Sequence, residues 1–440
     1  MIRIEEGQTV VLESLGLKYI AGKPIWIFSD HIEDGALEQL LWASNHPFIF
    51  NHASAMPDVH QGYGLPIGGV VAFINGVSPY CVGKDIGCGM YALRTSLKWE
   101  DVTDEQIIAL RREIRKLVPM GGGVAHKEPQ EWGEFRNFLD PKNIVGNSLP
   151  GWWNPKGWNW IRRTLGTLGG GNHFIEIQKG SDGYLWFMIH SGSRKIGDTI
   201  CDYYHKLALD HNTRWRTPLP VPYMATLPTQ TPLCDSYLRD MSFALAFAKE
   251  NRSRMMSNVV KAAKLVLGDF KVEWSHDIHH NYAALENHLG RNVWVHRKGA
   301  TSAKKGEWGI IPGSQGSFSY IVTGKGETMS FMSCPHGAGR AFGRKDACRR
   351  LNPEAEAHKM KGVIYDTPKD TVVKIDGEKV VRKDLAESVG AYKDISVVMM
   401  NAEPLAKIEI ELSPWGNLKG DDDKFRKRQL KKLGKGGSRD

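Results

Sequence analysis

The sequence predicts an α+β fold: a single large domain with central β-sheets flanked by helices, and a site built from strand ends and loops. Three observations support this prediction. Short apolar runs broken by glycine recur along the chain and favour buried strands joined by tight turns. Two long segments have helical periodicity. No period of 20 to 50 residues recurs, which argues against a solenoid or a propeller.

The first eighty residues are β-rich and contain one predicted helix. Residues 25–29 (IWIFS) favour a strand, and residues 36–46 (ALEQLLWASNH) have helical periodicity. Two apolar runs interrupted by glycine follow, PIGGVVAFI (66–74) and VSPYCVGKDIGCGMYALRT (77–95). We expect buried strands there.

Two longer helices are predicted further along the chain. Residues 103–117 begin with a Thr-x-x-Gln capping signal, and residues 236–267 form the second helical pattern. Strand-like runs return after residue 290, at NVWVHRK (292–298), EWGIIPGS (307–314) and FSYIVTG (318–324). Between the helices, the tryptophan-dense segment 151–163 allows two interpretations, core packing or a platform on which bases stack.

The glycine-rich motifs spread over the chain without an intervening linker. We therefore expect one domain over residues 1–420, followed by a mobile basic tail over residues 421–440. The tail holds eight Lys or Arg and four Asp, so it supplies +4 of the formal net charge of +9 and leaves +5 for the rest. A basic chain favours a polyanionic partner such as nucleic acid.

The sequence also predicts the cellular location of the protein and the state of its cysteines. The first residues, MIRIEEGQTV, lack the features of a secretory signal, and no apolar run is long enough to span a bilayer. A cytoplasmic location without membrane association is the resulting expectation. The six cysteines form no CxxC pair, so we expect thiols that are free or bound to metal.

The stretch SCPHGAGR (333–340) places His336 among small residues and beside Arg340. Glycines let main-chain N–H groups approach an anion, an arginine pairs with its oxygens, and an imidazole can attack phosphorus. The alternative is a tight turn that carries a solvated histidine. Five further segments share this composition: MPDVHQGYGLPIGG (56–69), VGKDIGCG (82–89), LGTLGGGNHFIEI (165–177), IHSGSRKIG (189–197) and HDIHHNYA (276–283).

These segments contain the ligand types of a transition-metal site. Asp85 and Cys88 stand three residues apart, and His173, His190 and His280 occupy three other segments. Histidines, a carboxylate and a thiolate together suit a borderline-soft metal ion. The competing interpretation is a set of hydrogen-bonded core or loop histidines. No Walker loop or dinucleotide fingerprint is present, so any nucleotide requires a different scaffold.

Taken together, the motifs closely resemble the RtcB family of RNA ligases. The resemblance spans residues 56–420, in the family's order, and rests on PDVHQGYG, VGKDIGCGM, LGTLGGGNHFIEI, HSGSR, HHN, RKGA (297–300), PGSQG (312–316), SCPHGAGR, AYKDI (391–395) and NLKG (417–420). It implies a GTP- and Mn²⁺-dependent ligase that joins RNA 2′,3′-cyclic phosphate or 3′-phosphate ends to 5′-hydroxyl ends, in RNA repair or tRNA splicing.

The resemblance also implies a mechanism. His336 would attack the α-phosphate of GTP to form a histidine–GMP phosphoramidate, and the GMP would pass to the RNA 3′-phosphate. Attack by the 5′-hydroxyl would then release GMP and seal the strand. A cyclic phosphate would first be hydrolysed to the 3′-phosphate.

Residue roles carry over from the family's motifs. Two Mn²⁺ ions would be held by Asp85, Cys88, His173, His190 and His280, with Cys88 as the bridge; His279 is not expected to be a ligand. The guanylate would contact Asn172, Glu176, Ser314, His336, Gly337, Ala338, Tyr392 and Lys419. RNA or nucleotide phosphates would contact Arg194, Arg340 and Arg344.

Two other functions compete with this interpretation. A metal-dependent 2′,3′-cyclic phosphodiesterase would need the metal ligands but neither His336 nor the guanine contacts. An RNA-binding protein without catalysis would need neither. RNA and GTP are the expected partners, and the resemblance adds an archease-type activator as a candidate.

Overall fold

The computed structural model describes residues 1–140, 142, 149–375 and 377–420. The predicted basic tail, residues 421–440, lies outside the described residues. The described residues form an α+β fold, as the sequence predicts.

Helices surround the sheets. Those of the described residues are α1 (Asp34–Ser44), α2 (Pro79–Val82), α3 (Asp104–Leu117), α4 (Gly133–Leu139), α5 (Pro155–Thr164), α6 (Lys195–Arg214), α7 (Pro232–Leu267), α8 (Arg344–Arg350), α9 (Pro353–Lys359) and α10 (Ile395–Asn401).

The strands are mostly antiparallel. They are β1 (Ile2–Ile4), β2 (Thr9–Leu12), β3 (Leu17–Ile20), β4 (Ile25–Ile27), β5 (Ile49–Tyr63), β6 (Leu65–Phe73), β7 (Gly76–Val77), β8 (Gly89–Lys98), β9 (Phe174–Gly180), β10 (Tyr184–Ser191), β11 (Leu227–Pro228), β12 (Val272–His279), β13 (Asn281–His288), β14 (Arg291–Lys298), β15 (Ala300–Ser302), β16 (Trp308–Ile311), β17 (Ser319–Gly324), β18 (Ser333–Pro335), β19 (Asp370–Ile375), β20 (Glu378–Lys383) and β21 (Ala406–Lys419).

Two large sheets organise the fold. One has six strands in the order β1-β4-β5-β6-β14-β13, and the other has seven in the order β12-β8-β10-β9-β21-β17-β16. Helices α3 and α7 pack on the seven-stranded sheet, where Ile107, Ile177 and Met255 belong to one buried apolar cluster. A sheet whose face is covered in this way fixes the register of its strands, and with it the position of each strand end.

Most predicted elements are confirmed. The Thr103 and Gln106 capping box is present, with the Thr103 side chain accepting from the Gln106 N–H, and the second predicted helix lies within α7. One prediction was wrong: within the apolar run 77–95, residues Pro79–Val82 are helical rather than extended. Proline at the first helical position, after Ser78, favours a helix start, and this local preference outweighs the apolar pattern.

The two most buried tryptophans of the tryptophan-dense segment pack in the core. Trp152 and Trp158 join an aromatic cluster with Phe138 and Phe243, and the Trp152 indole N–H donates to the buried Asp240 carboxylate at 2.7 Å. Rings enclosed in this way do not present their faces to a base.

In the part of the chain that is described, no helix combines the length and apolarity needed to cross a bilayer.

Candidate active site

Four neighbouring strands of the seven-stranded sheet bring the predicted metal ligands to one edge. Strand β8 begins one residue after Cys88, and β9 begins one residue after His173. Strand β10 ends beside His190, and β12 ends one residue before His280. Antiparallel pairing places these ends together, because His190 lies opposite Phe174 and His279 lies opposite Gly89. The sheet therefore collects ligands that are distant in sequence.

The collected side chains converge on the Cys88 thiol. Its Sγ lies 3.2 Å from Nε2 of His190 and 3.5 Å from Nε2 of His173. Asp85 Oδ2 lies 3.2 Å from the same His173 nitrogen. Nε2 of His280 lies 3.4 Å from Nε2 of His190. All five predicted ligands therefore form one continuous cluster, with Cys88, His173 and His190 at its buried centre.

Backbone carbonyls lie beside the Nδ1 atoms of two of these histidines. Nδ1 of His173 lies 3.1 Å from the Leu168 carbonyl oxygen, and Nδ1 of His190 lies 3.2 Å from that of Asn172. A carbonyl oxygen only accepts, so Nδ1 of His190 carries the proton and its Nε2 presents a lone pair to Cys88. This outer hydrogen bond is the arrangement that orients metal-binding histidines.

The cluster fits a cation better than it fits an apolar or purely hydrogen-bonded core. Asp85 Oδ2 and the Cys88 thiol both lie within reach of Nε2 of His173. Asp85 Oδ1 and His280 Nδ1 are buried and have no hydrogen-bond partner among the described residues. Converging buried acceptors are costly unless a positive charge lies between them. Thiolate, imidazole and carboxylate donors suit a divalent transition-metal ion.

Burial shifts the acidities inside the cluster. Desolvation, with a smaller contribution from the Asp85 carboxylate, raises the pKa of the Cys88 thiol well above its usual value. Desolvation also lowers the pKa of His190 and His280, so both imidazoles are neutral. Neutral imidazole is the form that binds metal ions.

His336 follows β18 and lies against the cluster. Its ring centroid is 4.8 Å from that of His280, in an edge-on arrangement. On its other side, Oδ2 of the buried Asp58 lies 2.6 Å from Nδ1 of His336 and accepts from the His336 backbone N–H at 3.1 Å. The negative charge favours a proton on Nδ1, which leaves the Nε2 lone pair for attack.

A cavity beside His336 contains all the predicted guanylate residues. It is lined by both large sheets and the loops between them, and the predicted residues among its walls are Asn172, Glu176, Ser314, His336, Gly337, Ala338, Arg340, Arg344, Tyr392 and Lys419. His190 also lines it, so one cavity joins the nucleophile candidate to the metal-ligand cluster.

Glu176 lies in the cavity wall with both carboxylate oxygens engaged. Oε1 accepts from the Asn417 amide at 2.9 Å, and Oε2 accepts from the Gln178 amide at 2.6 Å. Strand pairing brings Asn417 directly opposite Glu176. Burial raises the pKa of Glu176 to about 7, although both hydrogen bonds lower it. Each oxygen keeps a second lone pair for a ligand.

A buried carboxylate, Glu387, connects the polar side chains at the other end of the cavity. Its Oε2 lies 3.9 Å from Nζ of Lys419 and accepts a hydrogen bond from the Tyr392 hydroxyl. Its Oε1 lies 3.3 Å from Arg340 and 2.9 Å from Arg344. These cations hold the pKa of Glu387 below its usual value despite burial.

The three predicted phosphate-binding arginines occupy different places. Arg340 is largely buried, and Arg344 is half exposed at the cavity mouth. Arg194 lies away from this cavity, with Nη1 3.3 Å from Nδ1 of His173. His279 points away from the cluster, toward Arg252 and the Gly87 carbonyl, in line with its exclusion as a ligand.

A larger cleft adjoins the cavity. It shares Asn172, Arg344 and Lys419 with the cavity and extends to Asp85 and His173. The metal-ligand cluster is therefore reached both from the enclosed cavity and from this open cleft.

Sequence analysis missed three residues of the site. Asp58 stands inside a quoted motif, PDVH, and Asn417 stands inside NLKG, so position in a motif could have identified both. Glu387 lies in a segment without glycine–histidine patterning, and only the folded contacts identify it.

Comparison with known proteins agrees with this geometry. A family model described as tRNA-splicing ligase RtcB matches residues 39–420. The chain is 37% identical to the RNA-splicing ligase RtcB of Escherichia coli (strain K12), over 87% of this chain and 94% of the relative. It is 31% identical to the tRNA-splicing ligase RtcB of Pyrobaculum aerophilum, over 92% of this chain and 96% of that relative.

A third relative is similar over a smaller share of both chains. The RNA-splicing ligase RtcB homolog 2 of Entamoeba dispar is 30% identical over 83% of this chain and 80% of the relative. The match to the family model covers the segments that supply His336, the metal-ligand cluster and the cavity. This chain belongs to the RtcB family of RNA ligases.

Proposed function

We propose that this protein joins RNA ends that carry a 2′,3′-cyclic phosphate or a 3′-phosphate to 5′-hydroxyl ends, with GTP and Mn²⁺. One observation supports the proposal above all: His336 lies between the Asp58 carboxylate and a metal-ligand cluster, at the wall of a cavity that is also lined by Glu176, Tyr392 and Lys419. Residues 1–420 would constitute the ligase domain.

In the first step, Nε2 of His336 attacks the α-phosphorus of GTP. A nitrogen–phosphorus bond forms, and the bond from the α-phosphorus to the bridging oxygen breaks and releases pyrophosphate. Asp58 keeps the proton on Nδ1 and stabilises the positive charge that the ring acquires. Gly337 and Ala338 follow the nucleophile in the cavity wall, where small residues let the nucleotide approach the main chain.

Guanine would be selected at the far end of the cavity. The Glu176 carboxylate accepts from N1–H and N2–H of guanine, a donor pair that adenine lacks. Lys419 and Tyr392 would contact the same base, and Glu387 holds both of their polar groups in place. Asn172 and Ser314 complete the polar wall.

The next two steps take place where the cavity meets the open cleft. The RNA 3′-phosphate attacks the phosphorus held on His336, and the nitrogen–phosphorus bond breaks to leave an RNA–guanylate end. The RNA 5′-hydroxyl then attacks the RNA phosphorus, and GMP leaves. Arg344, which lines both the cavity and the cleft, and Arg340, which lines the cavity, would pair with RNA or nucleotide phosphates.

Asp85, Cys88, His173, His190 and His280 would hold the Mn²⁺ pair. Bound there, the ions neutralise charge on phosphate oxygens and align the leaving group. Cys88 lies within reach of both His173 and His190, which supports its role as the shared ligand. Arg194, with Nη1 3.3 Å from Nδ1 of His173, would contact an RNA or nucleotide phosphate.

A two-fragment ligation assay tests the proposal. One RNA carries a 2′,3′-cyclic phosphate or a 3′-phosphate, the other carries a labelled 5′-hydroxyl end, and GTP and Mn²⁺ are added or withheld. We expect a joined product only when both are present. Opening of the cyclic phosphate without joining, independent of GTP, would instead support a phosphodiesterase.

Asp58 gives a prediction about positioning. Replacing Asp58 by Asn keeps the shape but removes the charge beside Nδ1 of His336, and we expect guanylylation to slow about 10²-fold. Single-turnover labelling across pH measures the effect. A purely structural role predicts a lower yield of folded protein with an unchanged rate per folded molecule, and that outcome would contradict the positioning role.

Glu176 gives a prediction about pH. With its pKa raised to about 7, the carboxyl is protonated below that pH and cannot accept both guanine protons. Affinity for guanosine should therefore rise as pH increases through 7 and level off above it, with a fall of about tenfold per pH unit on the acid side. Calorimetry between pH 5.5 and 8.5 measures this. Glu176→Gln should bind weakly and without the pH dependence; a flat wild-type profile contradicts the prediction.

A further inference from the structure

His60 is a histidine of the cavity wall to which the reaction above gives no role. It lies on β5, two residues after Asp58, and lines the cavity together with Ile67 and Gly339. Ile67 is its cross-strand partner on β6. A Cβ on Gly299 would lie 2.3 Å from Cγ2 of Ile67 and 3.0 Å from Cε1 of His336. His60 therefore belongs to the wall next to the nucleophile.

The tautomer of His60 is fixed in the same way as that of His190. Its Nδ1 lies 3.0 Å from the Asp58 carbonyl oxygen, which can only accept, so Nδ1 carries the proton. Nε2 then presents a lone pair. This nitrogen makes no hydrogen bond to any described residue. The His60 side chain is partly exposed and lines the cavity. An acceptor thus faces the ligand space without a protein partner.

The surroundings of His60 keep it neutral. Burial lowers its pKa to about 4, and the nearby His336 and Lys393 add smaller effects in the same direction. A neutral acceptor does not attract a phosphate group, whose oxygens are also acceptors. The complementary ligand group is a donor without charge, such as a hydroxyl.

The position along the cavity identifies that hydroxyl. A guanylate with its base at Glu176 and its phosphorus at His336 must place its sugar between them, against the wall that adjoins the nucleophile. In this wall the backbones of Gly339 and Asp58 lie close together, because a Cβ on Gly339 would be 2.2 Å from the Asp58 carbonyl oxygen. We propose, on the basis of the proposed function, that Nε2 of His60 accepts a hydrogen bond from a ribose hydroxyl of the guanylate and so selects ribonucleotide over deoxyribonucleotide.

Two variants separate the acceptor from the rest of the side chain. In His60→Asn, the amide nitrogen can replace Nδ1 as donor to the Asp58 carbonyl, but nothing replaces Nε2. In His60→Gln, the longer side chain places an amide oxygen near the position of Nε2. Covalent labelling by GTP, 2′-deoxy-GTP and 3′-deoxy-GTP is measured as kcat/KM for wild type and both variants.

We expect wild type to prefer GTP over one deoxy analogue by about tenfold or more. His60→Asn should be labelled more slowly than wild type by GTP but at an unchanged rate by that deoxy analogue, so the preference should be lost. His60→Gln should regain part of the preference for GTP. Equal use of all three nucleotides by wild type overturns the inference, as does an equal loss with all three in His60→Asn. Absence of wild-type labelling by GTP would instead overturn the proposed function.

Discussion

His336→Ala should abolish covalent labelling of the protein by α-labelled GTP, a loss of about 10⁴-fold or more, because the proposed mechanism forms the bond to phosphorus at Nε2 of His336. Of the other histidines there, His190 points its Nε2 lone pair at Cys88, and His60 lies on the Asp58 side of the cavity. The measurement is denaturing electrophoresis after incubation with GTP and Mn²⁺, followed by acid treatment. A phosphoramidate is acid-labile, so the wild-type band should disappear in acid.

His358→Ala is the matched control for this experiment. His358 is exposed on α9, so its loss should leave labelling unchanged. Guanosine binding by His336→Ala should also persist, since Glu176 and Lys419 remain in place. Labelling that survives in His336→Ala would move the nucleophile to another residue. Absence of labelling in metal-loaded wild type would favour the phosphodiesterase reaction.

The clustering of the predicted metal ligands could be anticipated in part from the sequence because local motifs mark these residues. Cys88 and His173 stand beside glycine-rich turns that precede apolar runs, and such runs become strands with fixed ends. The sequence did not show that those strands are neighbours. Their order, β12-β8-β10-β9, depends on strand pairing and on packing against α3 and α7, which are distant in sequence from most of these strands.

The support around the nucleophile could not be anticipated in the same way. Asp58 and His336 are 278 residues apart, and their contact depends on the approach of β5 to the loop after β18. Glu387 is a single acidic residue in an irregular segment, yet it gathers Arg340, Tyr392 and Lys419. Long-range electrostatic pairing of this kind leaves no periodic trace in a sequence, whereas strands and helices do.

The second large effect concerns Cys88. Cys88→Ala should lower every step, guanylylation, opening of a cyclic phosphate and ligation, on the order of 10³-fold or more, because the thiol is the one donor that contacts both His173 and His190. Its removal leaves neutral imidazoles and a carboxylate, which hold a divalent ion more weakly. Substantial guanylylation by Cys88→Ala would contradict the shared-ligand role.

Metal binding provides a measurement that does not depend on activity. Equilibrium dialysis with Mn²⁺ should show weaker binding by Cys88→Ala. When the proteins are loaded with Co²⁺, we expect a thiolate charge-transfer absorption in wild type and none in this variant. Cys234→Ala is the matched control, since that thiol is equally buried but lies in the aromatic cluster near Tyr237. If both variants lose metal to the same extent, the loss reflects damage to the core. If only Cys88→Ala does, the thiol at the centre of the histidine cluster is the ligand on which the three chemical steps depend.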